Sequence, residues 1–193
     1  MILCASVLPF LGVIVEQKKK TMPAVQLVLR DAIKTNNADM NNVSTIFRGV
    51  AILQTLAEKN TEDIKRSEFG MIIRDLGSLW ETAIKVTAIK ELLDCFPDEP
   101  WSAINGKVQV TPEICEKYDK LIQKAYSFGI KDCYQWKHIV DGKRATQLVG
   151  LKPGPHVSEL LKVQMTWQLE NPEGTKEECE KAIEEYWSNK NLL

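Results

Sequence analysis

The chain has 193 residues, 44% of them hydrophobic, enough to bury a core as one compact unit or two small ones. Its 25 Lys and Arg stand against 26 Asp and Glu, a formal net charge of -1, so any attraction to nucleic acid or an anionic membrane has to be local. Cys4, Cys95, Cys115, Cys133 and Cys179 are odd in number and contain no Cys-x-x-Cys pair; they read as reduced thiols of an intracellular protein, with cytosol, nucleus and mitochondrion left open.

The opening stretch "MILCASVLPFLGVIVEQKKK" places an apolar run ahead of a basic one. A signal peptide has the opposite order and a spanning helix needs about 20 residues, so packing inside a fold outweighs a membrane or targeting role. Pro9 and Gly12 divide the run into a short helix, a turn and a second short apolar element ending near Glu16 to Lys20. Thr21 as cap and Pro23 in the first turn predict a helix from Met22 to Lys34. An Asn-rich turn over Asn36 to Asn42 precedes a helix to Ala57, on which Val43, Ile46, Phe47 and Val50 recur at helical spacing. Thr61 is a candidate cap for helical sequence running to Asp94, broken within "DLGSLW" at Asp75 to Trp80.

"CFPDEPWSAINGKVQVTPE" reads as a linker, after which Thr111 as cap, Pro112 and a stop at Gly129 delimit another helix. A short helix from Lys143 to Val149 follows, then "GLKPGP", then a longer helix from Pro155. Thr175 and Glu178 form a capping box for a final helix whose buried face carries Cys179, Ala182, Ile183, Tyr186 and Trp187. The expected fold is all-α, with no sheet. Its parts are a helical body over 1–95, a linker over 96–110 and a helical tail over 111–193.

Two readings fit the Lys-Pro-Gly-Pro turn. A glycine ahead of a helix N-terminus lets backbone N–H groups approach a phosphate, and Lys152, Lys143 and Arg144 add positive charge, which makes those residues and Gly154 a candidate RNA phosphate contact. The plainer reading is a stiff corner between two helices, under which Gly154→Ala would strain the fold. Lys18, Lys19 and Lys20 likewise read first as a solvated turn and second as an RNA-backbone contact. Glu159, Lys162, Thr166 and Glu170 form an arc expected to face solvent.

Catalytic signals are sparse. His138 and His156 are the only histidines and no cysteine pair accompanies them, which argues against zinc. Gly-x-Ser-x-Gly, P-loop and Gly-x-Gly-x-x-Gly patterns do not occur. No catalytic or metal-binding residue is assigned.

The segment "IVDGKRATQLVGLKPGPHVSELLKVQMTWQLENPEGTKEECEKAIEEYW" resembles the C-terminal part of eukaryotic CCA-adding enzymes, the CCA tRNA nucleotidyltransferases. "LPF" ahead of Lys18 to Lys20 and "EFGMIIRDLGSLWETAI" are similar to the helical body of that family. His156 and Val157 stand where the family usually has Trp and Met. The resemblance implies an enzyme that adds CCA to tRNA 3' ends from CTP and ATP with Mg2+, using a catalytic head with metal-binding aspartates and a neck that selects the base. It covers body and tail only. The implied role of these residues is therefore to hold tRNA at its elbow and acceptor arm, with the head on a longer or a separate chain and with no membrane or zinc partner. By themselves they are expected to be inactive. A free-standing helical RNA-binding or protein-interaction module without catalysis is the alternative.

Overall fold

The computed structural model describes residues 1–17, 20–95, 112–152 and 154–191. The expected linker over 96–110, the Thr111 cap, Pro153, Lys18 and Lys19 lie outside the described residues. The chain is predominantly helical, as expected, and divides into two compact units. The first takes Met1–Ile64 and Leu76–Ser127, the second Lys65–Asp75 and Phe128–Leu193.

Helix α1 (Ile2–Val7) buries Cys4 and Val7 and passes through a 3-10 turn at Leu8–Phe10 to Gly12, whose φ of 82° a side chain would resist. One part of the all-helical expectation fails here. β1 (Ile14–Gln17) and β2 (Lys20–Pro23) pair antiparallel in the register Ile14 with Pro23, Val15 with Met22, Glu16 with Thr21 and Gln17 with Lys20. The physical reason lies in the run Val13, Ile14 and Val15, whose branched side chains suit a strand better than a helix.

The helix expected from Met22 therefore begins later. Thr21 is a strand residue, and Pro23, extended at φ -61° and ψ 133°, is the N-cap of the short α2 (Ala24–Leu27). α2 widens into a π-helical turn at Val28–Ala32, which ends where Lys34 adopts a left-handed φ of 57°.

α3 (Asn37–Glu58) starts inside the stretch expected to be a turn. Asn36 accepts the Asp39 N–H at 2.8 Å and its own amide donates to the Asp39 carboxylate, so the Asn-rich segment caps a helix instead of interrupting one. Val43, Ile46, Val50, Leu53 and Leu56 form its buried face. Asn60, not Thr61, supplies the side-chain acceptor for the turn at Thr61–Asp63.

α4 (Arg66–Leu76) and α5 (Trp80–Asp94) are separated by a 3-10 turn at Gly77–Leu79, with Gly77 at φ 60°, so the break falls within "DLGSLW" as expected. α6 (Pro112–Ser127) stops before Gly129 at φ 65°. In the first unit α5 packs on both α3 and α6. The second unit contains α7 (Gly142–Leu148), α8 (His156–Glu170) and α9 (Lys176–Asn191), with α8 packed against both others. Among the described residues no helix is long and apolar enough to cross a membrane.

Candidate nucleic-acid interface

The corner between α7 and α8 is built from both sides. Asp141 caps α7 by accepting the Arg144 N–H at 2.8 Å, and a Cβ at Gly142 would come within 2.7 Å of Val157, so only glycine lets α7 start this close to α8. The far end closes as a Schellman motif, in which Leu151 N–H bonds to Thr146 C=O, Gly150 N–H bonds to Gln147 C=O, and Gly150 takes φ 68°. Beyond it Val157 N–H bonds to Gly154 C=O at 3.1 Å and Ser158 donates its hydroxyl to Pro155 C=O. Pro155 is the N-cap of α8 and has no side chain able to cap it.

This corner rests on a packed base. Val140, Ala145, Leu160, Cys179 and Ile183 are buried together, with Leu148, Val149, Trp167 and Trp187 against them. Gly174 lets the Trp167 ring lie directly on the turn before α9, where the Thr175 and Glu178 capping box forms both of its hydrogen bonds. Burial pushes the Cys179 thiol up to about 11, the Glu180 carboxylate adding to the effect, so it is a neutral core group.

The expected phosphate ligands do not share one environment. Lys143 and Lys152 are exposed, and no ion pair engages either among the described residues. Arg144 is different. Its Nε and Nη2 donate to both carboxylate oxygens of Glu180 at 2.8 and 2.6 Å, and that fork-to-fork bond holds the Glu180 carboxyl below its usual range. Lys176 lies 4.0 Å from the same carboxylate. Arg144 thus ties α7 to α9, a pairing across 36 positions for which the sequence carries no local signal.

Gly154 is exposed and free of strain. Its φ is not among the positive values, and a Cβ there would meet nothing closer than the Lys152 carbonyl oxygen at 3.8 Å. The expectation that Gly154→Ala would strain a corner is corrected accordingly: the conformational demand falls on Gly150 and the steric one on Gly142. Lys20 is exposed at the start of β2 in the first unit.

The arc expected to face solvent is partly engaged. Glu159 accepts from the Tyr186 hydroxyl and the Lys190 ammonium, which draw its carboxyl below the usual range, and Glu170 accepts the Ser67 N–H at 2.9 Å. His138 bonds to the buried Gln164, whereas His156 meets the Trp187 ring edge-on at 5.3 Å, so the two histidines serve separate contacts. Arg66 and Arg74, which the sequence does not single out, are also committed. Arg66 donates to the carbonyls of Phe128 and Leu169, and Arg74 to those of Cys133 and Trp136, which fastens the loop after Gly129 to α4. Among the described residues there is no group of three or more His, Cys, Asp and Glu side chains that could hold a metal ion.

Several curated proteins are similar to the chain along most of its length. The chain is 29% identical over 173 residues to the mitochondrial CCA tRNA nucleotidyltransferase of Candida glabrata, 24% over 179 residues to tRNA nucleotidyltransferase cca1 of Schizosaccharomyces pombe, and 27% over 175 residues to the mitochondrial CCA tRNA nucleotidyltransferase of Saccharomyces cerevisiae. These matches cover 87%, 91% and 87% of the chain. The chain is similar to CCA tRNA nucleotidyltransferases along most of its own length. It spans about a third of their length, the matched shares being 31%, 34% and 30%. No family model matches the chain, and no solved structure does.

Proposed function

We propose that these residues form a tRNA-holding part of a CCA-adding enzyme, gripping the phosphate backbone near the elbow and acceptor arm while nucleotide addition from CTP and ATP takes place on residues other than these. The carrying observation is similarity along 87% or more of the chain to enzymes named for CCA addition to tRNA. The corner supplies a contact suited to phosphate: two exposed lysines beside an uncapped helix start, on a base of buried side chains.

The experiment is tRNA binding by the purified chain across a salt series. The logarithm of affinity is expected to fall linearly with the logarithm of salt, and tRNAs of different sequence are expected to bind alike, because phosphate contacts carry no base information. Binding that ignores salt, or no binding at all, would return the corner to a purely structural role. Gly154→Ala sharpens the test, since it folds without strain and yet places a methyl group where backbone and phosphate would meet. Weaker binding with unchanged thermal stability is the expected result.

A further inference from the structure

We propose that Cys95 and Cys115 are a redox-sensitive pair, joined by a disulfide when the protein meets an oxidant such as glutathione disulfide. Both belong to the first unit, at neighbouring ends of α5 and α6. The two helices run antiparallel in a register that two contacts define. Tyr126 donates its hydroxyl to Glu81 at 2.8 Å, and further along the pair Glu91 accepts Lys117 Nζ at 2.6 Å and the Tyr118 hydroxyl at 2.7 Å. As α5 numbers rise, α6 numbers fall. One more helical turn beyond Glu91 leads to Cys95 on α5, and one turn back from Tyr118 leads to Cys115 on α6.

The remaining geometry agrees. Cys95 is the C-cap of α5, and its Sγ donates to the Glu91 carbonyl at 3.4 Å, which holds the sulfur over the turn that carries the α6 contact. Cys95 is exposed and Cys115 half-buried, whereas Cys4, Cys133 and Cys179 are buried. Burial pushes Cys133, like Cys179, up to about 11, so those thiols resist oxidation and the accessible pair reacts alone.

The Cys95 thiolate attacks glutathione disulfide, forming a mixed disulfide and releasing one glutathione. The Cys115 thiolate then attacks the Cys95 sulfur, forming the Sγ–Sγ bond and releasing the second. Two protein thiols are oxidised, one glutathione disulfide is reduced to two glutathione thiols, and the two thiol protons end on those products. The result clamps α5 to α6 and closes residues 96–114 into a covalent ring.

The test treats the full chain with glutathione disulfide, blocks the remaining thiols by alkylation and maps the peptides by mass spectrometry. Expected are a linked Cys95–Cys115 peptide, the loss of two thiols per chain, a higher melting temperature and full reversal by dithiothreitol. Cys115→Ser should stop at glutathione carried on Cys95, and Cys95→Ser should give no linked peptide. A wild-type protein that keeps glutathione on Cys95 with Cys115 free, that cross-links through Cys95 between chains, or that does not react would overturn the proposal.

Discussion

Residues 1–35 and the helices α7 to α9 both turn tightly between elements, yet their elements are stopped and turned in different ways. Over α7 to α9 three boundaries are carried by residue types with one dominant use: Asp141 as cap, Gly150 at positive φ, and Thr175 with Glu178 as a reciprocal box. Over residues 1–35 the boundaries come from hairpin register, from Pro23 in an extended conformation and from Lys34 in a left-handed one. Leu160 and Ile183 are fully enclosed, whereas Val13 and Ile14 remain 45% and 58% exposed. Of the apolar N-terminal residues, Val7 and Leu8 belong to the core and Phe10, Val13 and Ile14 do not.

That contrast breaks most visibly in the core. Leu160→Ala should destabilise the protein by about 3 kcal/mol, through lost burial and the cavity left behind. Ile14→Thr keeps a branched strand former at an exposed position and should change stability by less than about 0.5 kcal/mol. Urea denaturation measures both, and equal effects would show that the hairpin is packed as tightly as the helices.

Capping gives a smaller difference. Thr175→Ala removes the acceptor for the Glu178 N–H and should cost about 1 kcal/mol. Thr21→Val removes a hydroxyl of the same size from a strand, where it caps nothing, and should fall within about 0.5 kcal/mol of wild type. A loss at Thr21 as large as that at Thr175 would restore the helix from Met22.

The smallest effect is one of pH. Hydrogen bonds from Arg144 lower Glu180, and those from Arg30 lower Asp31. Arg30 and Asp31 are chain neighbours and can pair in the unfolded state too, whereas Arg144 and Glu180 meet only after folding. Because the folded pKa of Glu180 is depressed, its contribution is present above the ordinary Glu range near ~4.3 and is lost as pH falls through the folded value. Glu180→Gln should flatten the decline of stability in acid, and Asp31→Asn should leave it unchanged. Thermal melts from pH 7 downward distinguish the two.

These differences explain what the sequence disclosed. The end of the short helix α7, the break near Gly77, the stop at Gly129 and the capping box were legible because each depends on one residue's conformational or hydrogen-bonding preference. The hairpin was hidden because Thr21 and Pro23 suit a helix start as well as a strand end, and the pairing partner decides between them. Asn36 was ambiguous in the same way, as a turn former and as a cap. At the candidate interface, charge and position were legible and commitment was not. Lys143, Arg144 and Lys152 look alike in a sequence, and only the return of α9 places Glu180 on Arg144.

That distinction yields the most direct measurement, the salt dependence of tRNA affinity for Lys152→Ala beside Arg144→Ala. Lys152→Ala should weaken binding equally for tRNAs of different sequence and lower the slope of log affinity against log salt by about 0.7 to 0.9, the value of one lost phosphate contact. Arg144→Ala should leave the slope unchanged, because its guanidinium is already neutralised by Glu180. An unchanged slope for Lys152→Ala in a protein that binds tRNA would contradict the assignment of this corner as the phosphate contact, and a reduced one for Arg144→Ala would contradict the withdrawal of its guanidinium by Glu180.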